Sequence, residues 1–254
     1  MLFFCTWTLG ALQRDNVYVF VDCLRTGLVD LAFVVDSSGS INYKDPRNWD
    51  ITKEFLVNVT RLFNIGPDYV QVAVVLFSTD ALVQWGLTRY RYQTSLINAI
   101  RRLPYLDGLT NLNDALYLTR TEVFAPGFGT RNGAHKAAII VTDGVDNVPT
   151  YGTVLTLQNA TACKNDNITL TTIGVSSQVN EDRLRQIASS PSWLHYFKVE
   201  NFSALTTITY ELGPKLCIRT YAYKPTLQYS VKRVLEPSHI KICHHRRRSC
   251  TALC

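Results

Sequence analysis

Apolar residues along this chain alternate between two rhythms. Runs at 28–35 ("LVDLAFVV"), 69–78 ("YVQVAVVLFS"), 135–142 ("HKAAIIVT"), 168–175 ("ITLTTIGV") and 194–199 ("LHYFKV") have strand length. They lack the polar alternation of a half-exposed sheet. Between them the spacing changes: Trp49, Thr52, Phe55, Leu56, Val59, Leu62 and Phe63 recur at about 3.6 residues, the period of one helix face. Similar stretches at 92–103, 113–123, 151–164, 181–189 and 202–216 predict further helices. Strands without polar alternation, separated by helices, predict a doubly wound, Rossmann-like α/β domain, its mainly parallel sheet covered by helices on both faces. "ALVQWG" (81–86) follows its predecessor after a short turn, too close for a helical crossover. It is expected to form one short antiparallel edge strand.

In such sheets ligands bind beyond the carboxyl ends of the strands. Asp36 stands at one such end in "VVDSSGS", and Asp143 at another in "IIVTDGVD". If those strands are neighbours, the two carboxylates converge with the hydroxyls of Ser38 and Ser40, and "DGLTNLNDAL" can add Thr110. Two carboxylates and three hydroxyls, without thiolate or imidazole, suit a hard cation: Mg²⁺ first, Mn²⁺ second, Ca²⁺ third. Each segment alone reads as a turn or helix cap, since Asp and Ser satisfy turn amides well. The weight lies in three of them falling at strand ends in the required order. Asp114 and Asp146, close by, read as a helix-start and a loop acid.

Enzymatic motifs are missing. "GFGTRNG" (127–133) is spaced one residue too wide for a dinucleotide fingerprint and precedes a strand instead of following one, so it reads as a loop. There is no nucleophile elbow or phosphate loop, and the five His residues lie outside the motifs above. A hydrolase needs a base placed to activate water, and the sequence nominates none.

Charge and cysteine divide the chain further. Residues 219–254 hold eight Lys and Arg against Glu236 alone, so the net charge of +6 belongs to this end and the remainder is close to neutral. Basicity confined to a tail argues against nucleic-acid binding. The expected organisation is an N-terminal segment at 1–26, a domain at 27–217 and a basic, Cys-containing, poorly ordered tail at 218–254. "MLFFCTWTLGAL" has an apolar centre with no Lys or Arg before it, a partial secretory signal or a linker. No apolar run reaches membrane-spanning length. Sequons at Asn58, Asn159, Asn167 and Asn201 favour secretion. Of the seven cysteines, Cys23 precedes the first core strand and Cys217 follows the last helix, positions where a disulfide would staple the domain ends, although two unrelated thiols also fit. Cys163, within a helical pattern, is expected to be a buried free thiol.

At "DLAFVVDSSGSI", "GLTNLNDAL" and "AIIVTDGVD" the chain resembles the von Willebrand factor type A domain, over about residues 28–216. "IGPDYVQVAVVLFS", "IASSPSWLHYFKVENFSAL" and the closing "KLC" look most like type A domains of matrilins and non-fibrillar collagens. The resemblance implies a metal-ion-dependent adhesion site at Asp36, Ser38, Ser40, Thr110 and Asp143. In that family the two serines ligate directly and the acids can act through water. It further implies a secreted, non-enzymatic matrix module in which a partner's Asp or Glu completes the cation's coordination. The alternative is a structural assembly domain whose metal mainly stabilises the fold. One departure bears on the partner: only "SSQVN" stands where collagen-binding integrin inserted domains carry an extra helix. Binding of triple-helical collagen in that manner is therefore not expected.

Overall fold

Both predicted rhythms are realised in the computed structural model, which describes residues 16–20, 27–144, 152–177, 179–216 and 218–222. In chain order the elements are β1 (Asn16–Phe20), β2 (Val29–Asp36), α1 (Gly39–Tyr43), α2 (Asn48–Arg61), β3 (Val70–Phe77), β4 (Ala81–Trp85), α3 (Gln93–Arg101) and α4 (Leu112–Leu118). They continue with β5 (His135–Thr142), α5 (Gly152–Asn165), β6 (Ile168–Val175), α6 (Glu181–Ile187), α7 (Ser192–His195), β7 (Tyr196–Val199), α8 (Leu205–Leu216) and β8 (Ile218–Ala222).

Strands β2 to β7 form a six-stranded sheet in the order β4-β3-β2-β5-β6-β7. Every pairing is parallel except that of β4, the expected antiparallel edge strand, with β3. The unbroken apolar runs are explained by burial on both faces, since all eight positions of β2 and of β3 are buried. Ala32, Val34, Ala73, Val75, Ala138 and Ile140 form one face, in a cluster with Leu112, Ala115 and Leu116 of α4, Ala160 and Cys163 of α5, and Leu184 of α6. The alternate residues Leu31, Phe33 and Val35 are equally buried, and Phe55, Leu56 and Val59 of α2 are fully covered as well. Helix α2 packs against α3 and α8.

The strand order places the chemistry. From β2 the chain adds β3 and β4 on one side, then crosses to the other side for β5. Helices consequently diverge above the carboxyl ends of β2 and β5, the switch point where such sheets open a crevice. Val35 pairs with Val141 across this boundary, which puts Asp36 and Asp143 on adjacent strand ends.

At the opposite end of β2 a buried ion pair closes the sheet. The loop "GFGTRNG" folds back so that the backbone N–H of Arg131 donates to Asp30 Oδ2 at 2.9 Å and its Nε to Asp30 Oδ1 at 2.8 Å. The same guanidinium donates to the carbonyls of Pro67, Val29 and Tyr69.

Three features differ from the sequence expectation. The helix predicted over 113–123 is α-helical only to Leu118 and continues as a π turn at Thr119–Val123. There Thr119 Oγ1 donates to the Ala115 carbonyl at 2.6 Å. The short helices α1 and α7 are too brief to show a periodic stripe, and α7 takes Leu194 and His195 from the strand expected over 194–199, which begins only at Tyr196. Where a poorly ordered tail was expected from residue 218, Ile218–Ala222 is a strand. It pairs antiparallel with β1 in a separate two-stranded ribbon, Phe20 opposite Ile218. Cys163 is a buried free thiol whose Sγ lies 3.5 Å from the Leu116 carbonyl. Burial pushes its pKa up to about 12. The other six cysteines, and with them the Cys23–Cys217 pairing, lie outside the described residues, as do Asp146 and the basic tail beyond Ala222. Among the described residues no helix is long and apolar enough to cross a membrane.

Candidate metal centre

Asp36 ends β2 as one of the most enclosed carboxylates among the described residues, 1% exposed. Its Oδ1 accepts the Ser38 N–H at 2.9 Å, so the turn reading of "DSSGS" is correct as far as it goes. It does not extend to Ser38. Although Ser38 occupies the N-cap position of α1, its side chain makes no capping bond. Its Oγ instead lies 3.1 Å from Ser40 Oγ. Ser40 Oγ in turn donates to Asp143 Oδ1 at 2.7 Å, linking the first loop to the end of β5. Thr110, 3% exposed, comes from the loop before α4. A methyl group built on Gly144 would stand 3.7 Å from Thr110 Oγ1, which puts that hydroxyl beside the Asp143–Gly144 turn. All five residues singled out from the sequence are thus brought together at the carboxyl edge of the sheet.

The carboxylates of the site are only weakly compensated, Lys44 acting on Asp143 as a nearby charge. Burial, and secondarily the charge of Asp143, raises the Asp36 pKa to about 7 in spite of hydrogen bonds from Ser38 and Thr142. Burial also raises that of Asp143, opposed by the Ser40 hydrogen bond. Among the described residues neither carboxylate takes part in an ion pair. Nor do the described residues contain a cluster of three or more His, Cys, Asp or Glu able to hold a metal. What the crevice offers is hard oxygen: two crowded carboxylates, whose mutual repulsion a cation would relieve, and the hydroxyls around them.

One contributor was not foreseen. Thr142 Oγ1 donates to Asp36 Oδ2 at 2.6 Å and is fully buried. In the sequence it reads as another β-branched strand residue, and the T-D-G order is the only signal that could have flagged it. Asp114 is the helix-start acid expected, its N–H donating to Asn111 Oδ1 at 3.1 Å and its Oδ2 accepting from Asn111 Nδ2 at 2.8 Å. The sequons separate into two classes. Asn167 and Asn201 are exposed, whereas Asn58 and Asn159 are half-buried on helices, and Asn159 Nδ2 is engaged with Asn113 Oδ1 at 2.8 Å.

With fold and crevice in view, comparison with known proteins places the chain. The von Willebrand factor type A domain matches residues 30–211, and the chain belongs to that family. It is 34% identical to the collagen alpha-1(XII) chain of Notophthalmus viridescens over 197 residues, which cover 78% of this chain and 20% of that one. It is 28% identical to human matrilin-1 over 189 residues, covering 74% of this chain and 36% of matrilin-1. This chain therefore spans about a fifth to a third of the length of these relatives. Among solved structures, proximal thread matrix protein 1 from the mussel byssus, with a zinc-occupied metal-ion-dependent adhesion site, superposes with a TM-score of 0.71 at 31% identity. That superposition covers 82% of this chain and 50% of the mussel protein.

Proposed function

We propose that this chain is a secreted adhesion or matrix module that binds a partner protein's Asp or Glu through a divalent cation. The single observation that carries this reading is the couple of buried Asp36 and half-buried Asp143, neither in an ion pair among the described residues, ringed by the hydroxyls of Ser38, Ser40 and Thr110. A buried charge of this kind is costly unless paired, so the couple is suited to recruit its counter-charge from solution. Those five residues hold the cation, Mg²⁺ first and Mn²⁺ or Ca²⁺ next, and the cation supplies an open coordination position to the partner's carboxylate. The zinc-occupied site of the mussel relative supports a divalent ion at this place in the fold. The collagen and matrilin relatives support a matrix setting.

The test has two arms. Calorimetric Mg²⁺ titration of wild type and Asp36→Ala should show binding in the first and a sharp loss in the second. A pull-down from matrix extract should recover a partner only without chelator. Equal Mg²⁺ binding by the two proteins would exclude the site. Mg²⁺ binding combined with chelator-insensitive capture would favour the assembly reading, in which the metal stabilises the fold. The secretory setting has its own checks. Protein from a eukaryotic secretory host should carry a glycan at exposed Asn167 and none at Asn159, read as glycosidase-sensitive mass on the respective peptides. Peptide mapping without reduction should recover Cys23 joined to Cys217, a long loop whose closure contributes about 3 to 5 kcal/mol by chain entropy.

A further inference from the structure

Outside the five proposed ligands, a second set of bonds ties two of the ligand-bearing loops together. Ser37, fully buried, accepts the Leu106 N–H on its Oγ at 3.0 Å, and its carbonyl accepts the Asp107 N–H at 2.9 Å. The Tyr105 hydroxyl donates to the Ser38 carbonyl at 2.9 Å, and Gly39 N–H donates to the Gly108 carbonyl at 2.9 Å. The approach is too close for larger residues. A Cβ on Gly39 would stand 2.6 Å from Asp107 Oδ1, and one on Gly108, whose φ is +94°, would stand 2.5 Å from Thr79 Oγ1.

The same loop is held from its other side. Thr79 Oγ1 accepts the Leu109 N–H at 3.0 Å, and the Thr79 carbonyl accepts Asn111 Nδ2 at 3.0 Å. Tyr105 is itself placed by Trp49, whose ring centroid lies 5.9 Å away and whose Nε1 donates to the Leu103 carbonyl at 3.2 Å. The bonds from Ser37 and Tyr105 belong to no helix or sheet ladder. They join loops that share one property: one carries Ser38 and Ser40, the other Thr110.

Resting on the metal reading above, we propose that Ser37 and Tyr105 are positioning residues of the cation site, a latch that fixes Thr110 relative to Ser38 before a cation arrives. Groups that orient ligands act on affinity because the cation then meets a prearranged set of oxygens and need not order a loop on binding. Asp143 is not part of the latch, since it sits on a strand end and is reached through Ser40 Oγ.

Tyr105→Phe keeps the ring against Trp49 and deletes the hydroxyl that donates to Ser38 and takes a backbone bond from Asn42, whereas Ser37→Ala deletes the acceptor for Leu106. In Mg²⁺ titrations of the full chain each should weaken affinity by about tenfold, the scale of lost ligand-orienting contacts. The melting temperature of Tyr105→Phe in chelator should stay close to wild type. In a Thr110→Ala background, Tyr105→Phe should cost much less than it does alone, because the ligand it positions is gone. Wild-type affinity in Tyr105→Phe, or an undiminished loss in the Thr110→Ala background, overturns the latch. Should Tyr105→Phe fail to fold, Ser37→Ala carries the same cycle. Asp36→Ala, titrated alongside, separates the two ideas. A wild type that binds no Mg²⁺ overturns both, whereas a wild type that binds, is silenced by Asp36→Ala and keeps its full affinity in the latch variants overturns the latch alone.

Discussion

Strand β2 carries two aspartates on the same face, Asp30 near its start and Asp36 at its end, exposed by 0% and 1%. The residue type, the strand and the burial are shared, yet the surroundings are opposite. Asp30 is met by a guanidinium: Arg131 Nη2 lies 2.7 Å from its Oδ1, in addition to the bonds from Nε and the backbone N–H. Asp36 is met by an amide, a hydroxyl and, across the crevice, a second carboxylate. Removing a carboxylate from water is costly unless an opposite charge and full hydrogen bonding accompany it. At Asp30 the compensation is supplied by the chain, so this aspartate closes the fold. At Asp36 it is withheld, so the site has an unmet demand for positive charge. Environment, not residue type, separates the structural carboxylate from the one proposed to hold a cation.

The largest effect should come from breaking the compensated pair. Asp30→Asn leaves the Arg131 guanidinium largely buried without its counter-charge, and the loss should be about 3 to 5 kcal/mol in urea unfolding, the cost of halving a buried ion pair. The loss should be the same with Mg²⁺ or with chelator. A loss that Mg²⁺ erases would mean that both ends of β2 serve the cation.

Asp36→Asn should act in the opposite direction in chelator. Burial in the metal-free fold, and secondarily the charge of Asp143, pushes the Asp36 pKa up to about 7, well above the ordinary aspartate range. Stability of the chelated wild type should therefore fall as pH rises through that window and level off above it. The neutral isostere removes this slope and, at pH 8, should be more stable than wild type by about 1 to 3 kcal/mol. Excess Mg²⁺ should reverse the order, raising the melting temperature of wild type and leaving the variant unmoved. If chelated Asp36→Asn is instead as weak as Asp30→Asn, the two aspartates are alike and the contrast fails.

How much of this contrast the sequence discloses depends on the separation between partners. Asp36 and Asp143 are legible because each follows an apolar strand run directly, and the parallel sheet needs only adjacent strands to bring such ends together. Helices α2 and α3 and the strands are legible for the same local reason, their apolar period. The Asp30–Arg131 pair is not, because its members lie 101 residues apart and "GFGTRNG" looks like any polar loop. The β1–β8 ribbon joins residues about two hundred positions apart through five-residue strands with no turn between them to announce a hairpin. Helix α1 opens on a glycine and a serine and buries only Ile41, which leaves no stripe to detect. Ser37 and Tyr105 escape notice because their value lies in a loop-to-loop fit that appears only when the chain is folded.

A smaller effect should sharpen the contrast from within the site. Thr142→Val keeps the shape of a buried side chain and removes the hydroxyl that donates to Asp36 Oδ2 at 2.6 Å. A hydrogen bond to a charged group is among the stronger ones, so the chelated variant should lose about 1 to 2 kcal/mol at pH 8 in urea unfolding. The loss should shrink at pH 5, where Asp36 in the metal-free fold is protonated. A pH-independent loss would assign Thr142 to packing and not to the carboxylate.

The smallest effect on stability should fall on Thr110→Ala, and its smallness is informative. Thr110 is neutral, so removing its hydroxyl neither relieves the repulsion between Asp36 and Asp143 nor strands a charge, and the chelated fold should change by less than about 1 kcal/mol. Cation binding should respond differently. A neutral ligand contributes coordination without charge, so Mg²⁺ affinity should fall far less than in Asp36→Ala, which deletes one of two carboxylates. Under the proposed function adhesion should nevertheless weaken, because there a partner's carboxylate has to fit a coordination geometry that Thr110 helps to set. Calorimetric Mg²⁺ titration, thermal melts in chelator and adhesion to matrix extract read the three quantities separately. The expected pattern is stability nearly unchanged, metal affinity modestly lower and adhesion reduced beyond what the remaining metal occupancy explains. Adhesion that tracks metal occupancy alone would confine Thr110 to holding the ion, and a Thr110→Ala variant that unfolds in chelator would move it to the structural side with Asp30.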